Sequence, residues 1–221
     1  MTERQILVRG SGRAETAPDF AAITLTINAF DRSREDALAD AAHRCGVLDD
    51  LLDGLGDALS NRMTASLRVA PRFTGKYDKR VHVGYDVRRS VLCEVRDFSV
   101  LGGLLRDAAA QALADADGPY WRIDDDNPVH DEVRRKATAD ARRRADAYAE
   151  GLSVRLGPVA WIAEPGLRRD GHGGSGGVPR AVSVDMPAPS AQGAVEQTVD
   201  VVVDRVATHS TVEVAFFIAE V

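Results

Sequence analysis

Asp124-Asp125-Asp126 puts three carboxylates side by side just ahead of a long alanine-rich stretch, a grouping that could hold a hard cation. The spacing is not that of a calcium loop, which needs a turn glycine and a distal glutamate. Carboxylates at a helix start also have an electrostatic reason to be there, since the helix dipole is positive at that end. Gly173-Gly174-Ser175-Gly176-Gly177, with His172 beside it, spells the pattern of a serine nucleophile on a sharp turn. That turn must join a strand to a helix, and the flanking sequence supplies neither. Gly10-Ser11-Gly12 begins like a dinucleotide fingerprint, but Arg13-Ala14-Glu15 follows where a third glycine belongs. A strand comes next, so no helix dipole would back a phosphate. A tight bend between two strands is the expected role of those glycines.

The five histidines, His43, His82, His130, His172 and His209, are scattered, with no two at ligand spacing. Cys45 and Cys93 both fall in phase with apolar neighbours, which predicts buried reduced thiols. Two cysteines alone do not make a zinc set. No catalytic, cofactor-binding or metal set emerges, and the expectation is a protein that is not an enzyme. A rival reading places Asp124 to Asp126, His130 or Arg89 in a cleft shared between subunits, as in a hydrolase. A third is a small-molecule binding module with an apolar pocket near Trp121 or Trp161.

Composition narrows the classes. The chain has 221 residues, a formal net charge of -6 and 44% hydrophobic residues. It is long enough to bury a core without disulfide staples. An acidic balance argues against nucleic acid as partner, because phosphate binding rests on a basic face. Met1 to Val8 holds no apolar run of signal-peptide length and no segment approaches membrane-spanning length, so a cytoplasmic setting without membrane insertion is expected.

The elements that must position these residues are read from periodicity. Asn127 and Pro128 suit a helix start. Val129, Val133, Ala137, Ala141, Ala145, Tyr148 and Leu152 form one apolar stripe, with Gly151 as the left-handed stop and Leu156-Gly157-Pro158 as the exit turn. On the other face Asp131 is set against Arg135, Asp140 against Arg144 and Arg142 against Asp146, the spacing of a solvated, ion-paired surface. Val159 to Ala163 reads as a strand.

Upstream, Ile6 to Val8 is a short strand. Ala21, Ile23, Leu25, Ile27 and Ala29 alternate with polar residues as a half-buried strand. Ser33 with Asp36 is a weak capping signal for a helix bearing Leu38, Ala41, Ala42, Cys45, Leu48, Leu52 and Leu55. Ser66 to Arg72 is a strand, followed by the longest alternation in the chain, Val81 to Arg96. Arg89 interrupts its apolar parity, which a bulge turning the side chain outward explains, with a buried charge as the alternative. Phe98 to Ala112 is a helix stopped by Gly118, Tyr120 to Ile123 a short strand. Residues 167–180 and 187–197 read as flexible loops around a candidate strand, Ala181 to Met186. Thr198 to Val206 and Thr211 to Ala219 are two closing strands.

Consecutive strands with interspersed helices predict the α+β class, an antiparallel sheet with long helices packed on one face. The order is compatible with one domain over 1–221, or with two similar lobes, about 1–96 and 119–221, joined by helix 97–117 and arising from a duplicated β-α-β-β unit.

These pieces meet a family pattern. Gly10-Ser11-Gly12 with Pro18-Asp19, Ala70-Pro71 with Phe73, Gly84-Tyr85-Asp86-Val87, Ala137 to Gly151, Leu156-Gly157-Pro158-Val159 and Val212-Glu213-Val214 occur in order. The chain in this respect resembles the SIMPL-domain family, which includes bacterial periplasmic immunogenic proteins and oxidative-stress proteins. The resemblance implies an α+β fold, assembly into large rings or hollow homo-oligomers, a stress-related setting, and no catalytic residues to carry over. The expected function is therefore a non-enzymatic oligomer acting through assembled surfaces.

Overall fold

The computed structural model describes residues 4–75, 79–167 and 201–219. In order, the elements are β1 (Gln5–Thr16), β2 (Phe20–Asp31), α1 (Arg34–Asp53), β3 (Leu59–Thr74), β4 (Val81–Val95), α2 (Leu101–Gln111), β5 (Ala114–Arg122), α3 (Val129–Gly151), β6 (Arg155–Ala163) and β7 (Val206–Ala219). They form an α+β fold with two antiparallel sheets rather than one, in two compact units. Among the described residues the first unit takes 4–16, 125–167 and 207–219; the second takes 17–75, 79–124 and 201–206.

The first unit is a three-stranded sheet, order β1-β7-β6, under α3. Strand β6 pairs with β7 from Arg155↔Ala219 to Ala163↔Glu213. The Ile218 N–H donates to the Arg4 carbonyl and Arg9 pairs with Glu213, so positions rise on β1 as they fall on β7. Ile6, Val8 and Ala14 alternate inward along β1, and Ile6 and Val8 join Val212, Val214 and Phe216 beneath the helix. The buried apolar helix positions are Val129, Val133, Ala137, Ala141, Ala145 and Ala149, a strict four-residue step. Four helical residues rise roughly 6 Å and two strand residues roughly 6.6 Å. An i, i+4 row can therefore ride along one face of one strand. A Cβ on Gly10 would stand 2.1 Å from the Ala137 carbonyl oxygen, and one on Gly12 2.2 Å from that of Val133.

That contact corrects the reading of Gly10-Ser11-Gly12 as a bend. β1 runs straight through it, and the glycines exist because helix backbone lies against them. The stripe itself departs at its end: Tyr148 and Leu152 are exposed and Ala149 takes the inward place. Gly151 is still helical. The left-handed residue is Ser153, φ 54°, where the Ser153 N–H bonds to the Glu150 carbonyl and the Val154 N–H to that of Ala149. Leu156-Gly157-Pro158 lies inside β6, accommodated by register shifts on either side of Val159, so it is not a turn. Of the two expected closing strands, the second is longer, since β7 passes unbroken through His209-Ser210; in the first, residues 201–205 are not strand and 198–200 lie outside the described residues.

The second unit is a four-stranded antiparallel sheet, order β3-β4-β2-β5, covered on one face by α1 and α2. Its core joins Ile23, Leu25 and Ile27 of β2, Val91, Cys93 and Val95 of β4, Leu48 and Leu52 of α1, and Leu101, Leu104 and Ala108 of α2. Ser33 caps α1 by accepting from the Asp36 N–H at 3.3 Å. Helix α2 stops earlier than Gly118: Leu113 turns left-handed at φ 51° and β5 already begins at Ala114. Segment 97–117 lies wholly within this unit. Three strands under one helix and four under two do not show a duplication. The expected loops and the strand Ala181 to Met186 lie beyond Leu167 and outside the described residues, as do Gly173 to Gly177 and His172.

Candidate functional site

The sequence-predicted site residues do not converge. The Asp124 carboxylate is gripped by both arms of Arg96, at 2.8 and 3.0 Å, and that contact holds its pKa below the usual range. Asp125 and Asp126 are exposed in a turn. Among the described residues, no group of three or more His, Cys, Asp or Glu stands close enough to hold a metal. His130 and His209 do share a pocket of about 350 Å³ with Glu164, an adjacency that spacing along the chain does not reveal. Trp121 packs edge-on against Phe98, ring centres 5.0 Å apart, beside the second unit's core. A pocket of about 370 Å³ opens at Ile162 and Ala163, the residues after Trp161, with Leu167 and Val212 on its walls.

Arg89 corrects its expected outward bulge. The β2–β4 register runs without a shift through Ile27↔Arg89, so the side chain faces α1. There it meets Asp49 in a two-pronged pair, Nη1 to Oδ2 at 2.9 Å and Nη2 to Oδ1 at 3.0 Å, beside the Cys45 thiol. The hydrogen bond to Asp49 raises the guanidinium pKa further and outweighs the opposing effect of burial. Arg62 reaches the same end of α1, 2.9 Å from Asp53. Cys45 is half-buried and Cys93 buried, both as free thiols; burial pushes Cys93 up to about 11.

On α3 the ion pairs are Asp131 with Arg134 rather than Arg135, Glu132 with Lys136, and Arg142 with Asp146. Asp140 is not part of a solvated face. It is 5% exposed, accepts from the Ser11 N–H at 3.0 Å, and is paired with Arg143 and Arg144. The Ser11 N–H, followed by the two arginines, holds its carboxyl below the usual range against the effect of burial.

What the structure does assemble is the β3–β4 arm and a cleft beside it. β4 pairs with β2 only as far as Tyr85↔Asp31, whereas β3 and β4 pair on to Thr74↔Val81. The last stretch is thus a two-stranded ribbon beyond the sheet. Gly84, φ 153°, admits the Phe30 ring at the point of departure, where a Cβ would lie 2.8 Å from the ring. Phe73, His82 and Tyr85 pack edge to face along the ribbon. Leu67, Phe73 and Val81 remain 69%, 49% and 60% exposed.

On the opposite face of β2, β4 and β3, an open cleft of about 520 Å³ is lined by Asn28, Phe30, Arg68, Arg72, Asp86 and Arg88 among others. Register places Asn28 opposite Arg88, and Arg88 opposite Arg68, in one row. Arg72 pairs with Asp86 and lies over the Phe30 ring, 4.3 Å from its centre. Sequence reading missed this site because its residues come from three strands and carry no motif.

No helix among the described residues is long and apolar enough to cross a membrane. The chain is 24% identical over 155 residues to the uncharacterized protein YggE of Edwardsiella ictaluri, covering 70% of this chain and 65% of that protein. It is 25% identical over 167 residues to the 26 kDa periplasmic immunogenic protein of Brucella melitensis, covering 72% and 66%. It thus spans about two thirds of the length of these relatives. Against solved structures, a hydantoinase/carbamoylase family amidase from Burkholderia ambifaria matches at a TM-score of 0.30 and 16% identity, over 59% of this chain and 34% of that one. So slight a likeness carries no argument. The SIMPL family, described as "Protein of unknown function (DUF541)", matches residues 6–216, a span that takes in the Gly10–Gly12 contact, the arm and most of the closing strand, and the chain belongs to that family.

Proposed function

We propose that this protein is a non-catalytic, self-assembling protein in which the β3–β4 arm of one copy docks on another copy. The observation that carries this reading is the ribbon beyond Tyr85↔Asp31, which exposes Phe73 and Val81, with Leu67 exposed on β3 shortly before it. A two-stranded ribbon is marginal in water without a surface to cover it, and exposed apolar rows mark contact surfaces. Arg68, Arg72, Pro71 and three register shifts along β3 oppose open-ended strand addition at that edge. Docking therefore uses the side-chain face of the arm, which favours a closed assembly over a fibre. The residues suggested for a shared hydrolase cleft lend that rival little support, because Arg89 and Asp124 are already engaged by Asp49 and Arg96.

The test is light scattering coupled to size-exclusion chromatography at micromolar concentration. The native chain elutes as a defined oligomer, and Leu67→Glu with Phe73→Glu shifts it to smaller species while circular dichroism is retained. A native chain that is strictly monomeric defeats the proposal. A cytoplasmic site of action and a stress-related role belong to the same proposal. The Brucella relatives are named periplasmic, so cell fractionation of the full-length protein decides the compartment.

A further inference from the structure

We propose that the cleft on the outer face of the four-stranded sheet binds a small oxyanion, the carboxylate or phosphate group of a metabolite, between Arg68 and Arg88. The two arginines are direct cross-strand partners on β3 and β4, and their side chains share one face. Like charges placed opposite one another in a sheet repel. An acidic neighbour usually removes that repulsion, but neither nearby carboxylate pairs with these two arginines. Asp86 is held by Arg72, whose Nε lies 2.8 Å from Oδ2. Asp115 accepts from the Asn28 amide at 2.7 Å. Among the described residues, neither Arg68 nor Arg88 makes an ion pair or a hydrogen bond to an acceptor.

The lining thus holds three arginines against one aspartate, a local excess of two positive charges in a chain whose net charge is -6. Guanidinium forks match the two oxygens of a carboxylate or the several of a phosphate. About 520 Å³ suits a small metabolite rather than a macromolecule. Phe30, held under Arg72, offers an apolar wall for the part of the ligand that carries no charge. The site lies on the opposite face of β3 and β4 from Leu67, so it is independent of the docking surface.

The experiment is isothermal titration calorimetry of the full chain with sodium phosphate and, separately, sodium succinate, at ionic strength held constant with sodium chloride. Saturable binding of at least one is expected, and the one that binds identifies the group recognised. Arg68→Gln and Arg88→Gln each weaken it tenfold or more, and Arg134→Gln, outside the cleft, leaves it unchanged. Arg88→Lys, which keeps the charge and loses the fork, recovers only part of the affinity. In anion-free buffer both glutamine variants melt no lower than the native chain, because a repulsion has been removed, and phosphate or succinate no longer raises their melting temperature. Absence of saturable binding of either anion, or binding undiminished in both glutamine variants, overturns the proposal.

Discussion

Gly10 of β1 and Ala137 of α3 are in contact through their backbones: a methyl group on the glycine would lie 2.1 Å from the alanine carbonyl oxygen and 2.5 Å from the Ala141 nitrogen. Neither obstacle is a side-chain tip that can swing away. Gly10→Ala is expected to cost about 3 kcal/mol, the upper range for overpacking a core, by separating helix from strand. Urea denaturation of the two proteins measures it. A cost below about 1 kcal/mol would mean that the helix can lift without consequence.

Arg89 and Asp49 give a second expectation. Their side chains are 19% and 35% exposed, so the pair is only partly shielded from water. Fully buried pairs lose about 3–5 kcal/mol when one partner is removed; screening here reduces that to about 1–2 kcal/mol. Asp49→Leu alone is expected to destabilise by that amount. Arg89→Met combined with Asp49→Leu is expected to restore most of it, since no charge is left stranded. A double-mutant cycle with a coupling near zero would contradict the assignment.

Leu113 sits left-handed at φ 51° and is exposed, so its side chain gains little from burial there. A side chain with a Cβ in that conformation costs about 1–2 kcal/mol, part of which glycine gives back through the freedom of the unfolded chain. Leu113→Gly is expected to raise stability by about 0.5–1 kcal/mol. Thermal melts decide the sign.

Asp140 makes stability depend on acid. Its native carboxyl is held low by the Ser11 N–H and by Arg144 and Arg143. Relative to an ordinary aspartate at about 3.9, the native state takes up its proton only at lower pH than the unfolded chain does. The stabilisation is complete above that value and is lost as pH falls through the depressed native pKa. Asp140→Asn is expected to be less stable than the native protein at pH 7, with the gap closing towards pH 2. Parallel urea titrations across that window report it; a gap that is constant with pH would assign the role to packing alone.

Local patterns gave the class and most of the core. The alternation of Ala21 to Ala29 appears in β2 with all five apolar residues buried, and the Val129-Val133-Ala137-Ala141-Ala145 step appears in α3. Reading failed where a partner distant in sequence decides the outcome. Gly10 and Gly12 look like a bend until α3, more than 120 residues later, is laid on them. Arg89 looks misplaced until Asp49 is set across from it. Gly118, Gly151 and Gly157 each suggest a stop, yet the chain turns at Leu113 and Ser153, which carry no such signature. The arginine row was illegible because cross-strand register, not spacing along the chain, makes it.

The strand order of the first unit has a consequence for synthesis. β7, which follows both of them in the chain, lies between β1 and β6. Until it arrives, both neighbours lack the partner that completes their ladders, while nearly all of the second unit, 17–124, has already been made. β1 therefore waits, unmatched on that edge, until β7 has been made, the period in which a holding chaperone has most to protect.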